Sequence, residues 1–238
     1  MPKYRLPLLL SCAGALVVTA MTGLATPAAA SCSDGPREGV DWSDCRKRNL
    51  ILRGTTLTDA NLADTDLTST DLRDANLDGA NMVKDNLLKA HLDGSTLIGT
   101  DLEKVVGYRS RFHDTDLTDS DFEKAEMQRA DFTGATIHNV NFDRSELGRV
   151  TFTGASLNNV NFDFAILARA DFRDARLDGP INLTSAYLFL TRFEGQDLSD
   201  ATGLVQAQLD LSCGNSETVL PEGLTQPSSW PCSEEAVE

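Results

Sequence analysis

The chain is poor in the side chains that most often carry chemistry. Its 238 residues include only three histidines, His91, His113 and His138. No glycine-rich phosphate loop, P-loop or metalloprotease signature is present. Each histidine falls at an outward position on a face with no expected serine or cysteine partner, which argues against a hydrolytic triad and for a chain without catalysis or cofactor. Cysteine is also scarce: there are five, none in a C-x-x-C pair, so no zinc site is expected. His91 and His113 share a face one coil apart and are read as isolated surface histidines rather than a shared metal site. Linkers and low-complexity stretches are missing, so one continuous domain with end caps is expected. The two tryptophans, Trp42 and Trp230, fall outside the repeated part and are read as lids.

The only long apolar run is at the start. Lys3 and Arg5 precede a mostly apolar stretch from Leu6 to Ala25, and Ala28-Ala29-Ala30 forms an A-x-A cleavage site. Residues 1–30 therefore read as a signal peptide cleaved after Ala30, which places the chain in the periplasm or outside the cell. Ser11, Thr19 and Thr22 interrupt the run and disfavour a membrane anchor. A lipoprotein beginning at Cys32 is the other alternative, but no leucine stands three residues upstream. Without the leader, four cysteines remain, Cys32, Cys45, Cys213 and Cys232, as two close pairs at opposite ends of the chain. An end-to-end bridge would have to span several coils, so the expected disulfides are Cys32–Cys45 and Cys213–Cys232.

What the chain has in excess is a period of five. From Leu57 to Leu177, 24 of 25 positions at that spacing are large and apolar, and Gly107 is the exception. Two residues before each stands a small one, with Asp85 alone outside Ala, Ser, Thr and Val. A step of five would spray side chains around a helix and alternate them across a flat strand. The backbone must instead turn once per repeat in a constant sense, with the small and large residues pointing inward together.

Blocks such as Ala60-Asn61-Leu62-Ala63-Asp64 and Ala130-Asp131-Phe132-Thr133-Gly134 resemble the pentapeptide-repeat family, whose consensus is A(D/N)LXX. The Asp/Asn preference before the large residue holds at 13 of the 25 sites. The resemblance implies an all-β fold, a right-handed quadrilateral parallel β-helix with four repeats per coil. The expected organisation is an N-terminal cap over residues 31–49, coils over 50–200 and a C-terminal cap over 201–238.

Residues twenty apart should then stack about one strand spacing, ~4.8 Å, apart. Phe112, Phe132, Phe152 and Phe172 form one interior column, and Phe122, Phe142 and Phe162 form another on the opposite wall. Three places break the pattern. At Gly107, Val105 and Tyr108 are expected to repack. Asp85 must be hydrogen-bonded or bulged, and reads as a local defect sooner than a functional carboxylate. A step of six between Leu177 and Leu183 suggests a one-residue bulge at Gly179-Pro180, after which Phe193 rejoins the Phe172 column.

The full chain carries 21 Lys+Arg and 36 Asp+Glu. Loss of Lys3 and Arg5 with the leader leaves 19 cations and a net charge of −17. Nine of those cations fall on two adjacent corners: Lys84, Lys104, Lys124 and Arg144 on one, and Lys89, Arg109, Arg129, Arg149 and Arg169 on the next. Stacked like charges repel by roughly 1 kcal/mol per pair even in water, so the alignment asks for a reason. Pairing with Glu103, Glu123, Asp143 and Asp163, and with Glu126 and Glu146, is one. An anion-binding face for an unknown protein or polyanionic envelope partner is the other. The chain reads as a monomeric exported scaffold that binds through flat faces, with no transmembrane segment after cleavage and no direct nucleic-acid binding. The resemblance implies an alternative: an acidic DNA mimic that inhibits a type II topoisomerase such as gyrase. The leader and the cationic corners count against it.

Overall fold

The computed structural model describes residues 30–233; the expected leader lies outside them except for Ala30. The backbone winds as a right-handed four-sided parallel β-helix. One ladder runs its whole length: Asp41, Asn61, Asn81, Asp101, Asp121, Asn141, Asn161, Asn182 and Thr202 pair in succession, all parallel. A second runs from Arg46 through Val106 and Ile166 to Tyr187, and two more complete the square. Most contacts are single bridges because each side is only about three residues long. Longer pairing occurs at β1 (Thr136–His138), β2 (Ser156–Asn158), β3 (Val160–Asn161), β4 (Arg176–Leu177) and β5 (Ile181–Asn182).

Most corners are four-residue turns. The N–H three residues after a central position donates back to that central carbonyl, as Ala130 does to Met127 at 2.9 Å and Val150 to Leu147 at 3.2 Å. The third turn residue has positive φ, between 52° and 61° at its non-glycine occupants from Asp44 to Leu190. That is the signature of a type II turn, where glycine or asparagine is favoured because a Cβ is strained there.

The core is a square shaft of side chains. Leu57 through Leu102 are fully buried, as are the phenylalanines. Rings stack coil on coil, with Phe112–Phe132 centroids at 4.8 Å and Phe152–Phe172 at 4.7 Å, while opposite walls meet edge to face, as Phe132 and Phe142 do at 6.0 Å. Phe193 continues the column on Phe172 at 5.2 Å. The bulge at Gly179-Pro180 is present: pairing shifts from twenty to twenty-one residues, as in Val160↔Ile181, and Leu177 is only half-buried. Gly107 is accommodated differently from expectation. A Cβ there would lie 2.3 Å from the Met127 sulfur, so the methionine one coil away fills the space, not Tyr108.

The ladder starts at Asp41, well before the expected residue 50. Trp42 therefore sits in the shaft rather than outside the coils, 1% exposed. Lys47 takes the next shaft position, and its ammonium lies 3.7 Å from the Trp42 ring and donates to the Cys32 carbonyl at 2.9 Å. The N-terminal loop folds over that end and is held by Cys32–Cys45, Cα–Cα 5.4 Å. At the other end, α1 (Gln206–Leu209) and a loop closed by Cys213–Cys232 form the lid. Trp230 packs against Gly214, where any Cβ would meet its ring at 2.3 Å, and its indole donates to the Ser212 carbonyl at 2.8 Å.

Candidate functional site

The two cationic columns stand on the two corners that border one side of the square. Successive residues are joined through the ladder: Lys84 N–H donates to the Glu103 carbonyl, Lys104 to Glu123 and Lys124 to Asp143, while Lys89 donates to Tyr108 and Arg109 to Gln128. Every one of the nine cations has φ between 56° and 61°, and no other Lys or Arg among the described residues has positive φ. The sequence thus puts its longest charged side chains where a type II turn prefers glycine or asparagine.

The columns differ in their surroundings. The first is paired: Lys104 with Glu103 at 2.7 Å, Lys124 with Glu123 and Glu103, Lys84 with Asp64 at 3.9 Å, and Arg144 with Asp143. On the second, Arg109 lies over the Tyr108 ring at 5.3 Å, and neither Lys89 nor Arg129 makes an ion pair among the described residues. Beside this column, Glu146 accepts from Gln128.

Between the columns the side is flat and its composition changes along the axis. Its outward residues run from Val106 through Glu126 and Glu146 to Ile166 and Tyr187 in one ladder. The upper end is apolar: Ile166, Tyr187 and Phe189 are 43%, 48% and 39% exposed, and the Tyr187 and Phe189 rings stack at 6.3 Å. Phe164 extends the first corner there, 51% exposed beneath the Arg144 guanidinium. Sequence reasoning missed this cluster because it sorted the outward positions by charge alone; the residues flanking Leu167 and Leu188 carried the signal.

One opposite corner is built differently. After Ile137 and Leu157 the turn hydrogen bond is lost: among the described residues no backbone carbonyl accepts from Val140 N–H, and Val160 N–H goes to the Pro180 carbonyl at 3.2 Å. The corner opens into a groove of about 510 Å³ lined chiefly by Asn139, Asn141, Asn159, Asn161 and Asn182. The turn residues alone did not distinguish this corner from its neighbours.

Asp85 is fully buried in a small-residue position. Its Oδ1 accepts from Thr65 N–H at 2.8 Å, and Oδ2 has no partner, so burial pushes the carboxyl well above the usual range. The histidines are not all as expected. His138 does face a serine, with Nε2 3.0 Å from Ser156 Oγ, but that hydroxyl donates to Asp178 at 2.6 Å and Ser156 is buried. The acid holds the serine, not the imidazole, which is the reverse of a relay from nucleophile to base to acid. His113 Nε2 lies 2.7 Å from Asp131.

Two family models match the chain: one described as a pentapeptide repeat region over residues 108–182, the other as pentapeptide repeats (8 copies) over residues 51–84 and 86–123. The chain belongs to the pentapeptide-repeat family. The gap between the two matched stretches of the second model falls on Asp85, the one acid in a small-residue position. Among solved pentapeptide-repeat structures, HetL of the cyanobacterium Nostoc sp. strain PCC 7120, involved in heterocyst differentiation regulation, is 20% identical; the match covers 79% of this chain and 93% of HetL at a TM-score of 0.38. Trypsin-treated QnrB1, a plasmid-mediated fluoroquinolone resistance protein, is 15% identical over 79% and 93% of the two chains at 0.31. A pentapeptide-repeat protein of the Arabidopsis thaliana thylakoid lumen is 20% identical over 55% and 70% at 0.16. No curated protein matches the chain.

Proposed function

We propose that this pentapeptide-repeat protein is an exported, non-catalytic scaffold that takes an acidic partner on the side between its two cationic columns. One observation carries the reading. All nine Lys and Arg residues with positive φ stand on the two corners of that one side. Both the backbone strain, roughly 1 kcal/mol at each corner, and the mutual repulsion oppose this arrangement on stability grounds alone. The exposed apolar upper end adds anchoring surface of the kind found at protein contacts. Export rests on the N-terminal leader pattern and the two end-closing disulfides. The alternative as an acidic DNA mimic has the net charge in its favour, but the cationic side would repel the protein surface that normally holds DNA.

The test uses the processed chain from residue 31 and a long polyglutamate as the acidic probe. Lys89→Asn/Arg129→Asn keeps residues that tolerate positive φ, so the coils should stay intact. Polyglutamate binding should weaken about tenfold in the variant and fall with added salt, as expected for exposed charges. Equal binding by both proteins would remove the proposal. Amino-terminal sequencing of protein from the culture fluid or periplasm checks export; an intact Met1 on protein confined to the cytoplasm would count against it.

A further inference from the structure

We infer that the open asparagine corner is a binding site for a neutral linear carbohydrate. The corner differs from its neighbours in both backbone and side chains. At Leu117 the turn closes normally, with Ser120 N–H donating back at 3.1 Å, whereas after Ile137 and Leu157 it does not. The result is a groove of about 510 Å³ that spans successive coils from Asn139 to Thr202.

Its walls are two ladders of primary amides. On one, Asn161 donates to Asn141 at 2.9 Å and Asn182 to Asn161 at 2.8 Å; on the other, Asn159 donates to Asn139 at 2.9 Å. A primary amide has two N–H groups, and each ladder uses one of them. Each asparagine therefore keeps one N–H for a ligand, and the Asn159 oxygen is not taken by another asparagine. Val140 and Val160, only 1% and 2% exposed, form the floor beneath the two ladders.

The chemistry selects the ligand class. Five amides make the lining neutral in a strongly acidic protein, so neither a cation nor a polyanion is favoured. The remaining amide N–H groups recur along the groove at one strand spacing, ~4.8 Å, which is close to the length of one sugar ring in an extended 1,4-linked chain. The Asn141, Asn161 and Asn182 oxygens already accept from the ladder or from groups two residues on, so sugar hydroxyl oxygens would accept from the N–H groups and a sugar O–H would donate to the Asn159 oxygen. The exposed Pro180 ring at the upper end offers an apolar surface to the C–H face of a pyranose. A peptide strand fits less well: it needs a free backbone edge, and the coils here are already paired to each other.

The test is titration of ¹⁵N-labelled processed protein with cellotetraose, with tetraglycine in a parallel arm. The variant Asn139→Gly/Asn159→Gly removes one ladder while keeping residues suited to φ values of 57° and 52°. Saturable shifts at the side-chain amides of Asn139, Asn159 and Asn161 are expected with cellotetraose, with affinity at least about tenfold lower in the variant. Lys89→Asn/Arg129→Asn should bind the sugar as the parent does, which separates this site from the cationic side. No saturable shift at millimolar sugar, binding unchanged in a folded glycine variant, or shifts with tetraglycine alone would each overturn the inference. A variant that melts lower, beside a parent that binds no sugar, would show that the ladders only brace the coils.

Discussion

A single carboxyl in the shaft links sequence to pH behaviour. Asp85 stands where the neighbouring coils have Thr65 and Val105, with one oxygen hydrogen-bonded and the other without a partner. Burial favours its neutral form and raises its folded-state pKa above the unfolded value. The sign follows: stability is fully present below the unfolded pKa and is lost as pH rises toward the folded one. Asp85→Thr should therefore stabilise at pH 7 by about 1–3 kcal/mol, the scale of a buried unsatisfied polar group. Thr65 shows how a threonine fits, donating to the Trp42 carbonyl at 2.7 Å. Thermal melts at pH 4 and pH 8 decide it: the parent should lose stability across that interval relative to the variant, and parallel curves would refute the assignment. The defect at Asp85 was legible in the sequence because it broke an otherwise unbroken column. The filling of Gly107 by Met127 was not, because a flexible thioether reaching along the axis leaves no periodic trace. Lys47 was missed for a related reason. A lysine at a shaft position reads as the end of the pattern, whereas its stem lies in the core and its ammonium caps the Cys32 carbonyl.

At the scale of one coil or one cap, the repeat dictated the side and the corner, while the ends depended on particular contacts. The interior columns of phenylalanine and the bulge before Leu183 follow from counting by five and twenty. The opened corner does not, because its turn residues Asn139 and Asn159 also suit an ordinary type II turn and only the lost hydrogen bond distinguishes it. The C-terminal lid hangs on Leu209, Trp230 and the Cys213–Cys232 bridge. The two cysteines are separated by 19 in sequence, so the bridge should contribute about 3 kcal/mol by restricting the unfolded loop. Cys213→Ser/Cys232→Ser should lower the denaturant midpoint accordingly and free the lid, with the far-ultraviolet spectrum of the coils unchanged. Loss of that spectrum would mean that the lid is required for the coils to form at all.

Across the whole molecule, stability in a solenoid is the sum of coils and the contacts between neighbours, so differences along the axis should be visible as differences in opening. From Leu52 to Leu102 the shaft is leucine apart from Met82, whereas above Gly107 two opposite walls are phenylalanine and the two between them stay aliphatic. Each shaft phenylalanine from Phe112 to Phe172 touches rings in its own column and across the shaft, and Phe193 stacks on Phe172, with centroids between 4.7 and 6.2 Å. Such pairs contribute about 0.5–1.5 kcal/mol each beyond the area they bury. The leucine coils have no counterpart to this, and they also contain Asp85. The upper coils should therefore open as one cooperative block with the larger free energy, and the seam should lie at Gly107. Native-state hydrogen exchange reads this directly through amides such as Leu72 and Leu92, against Phe132, Phe142 and Phe152, all held by coil-to-coil bonds of 2.7–2.9 Å. Because those bonds are alike in length, any difference in protection must come from the side chains between them. Equal opening free energies along the axis would show that the aromatic stack adds nothing beyond what leucine supplies.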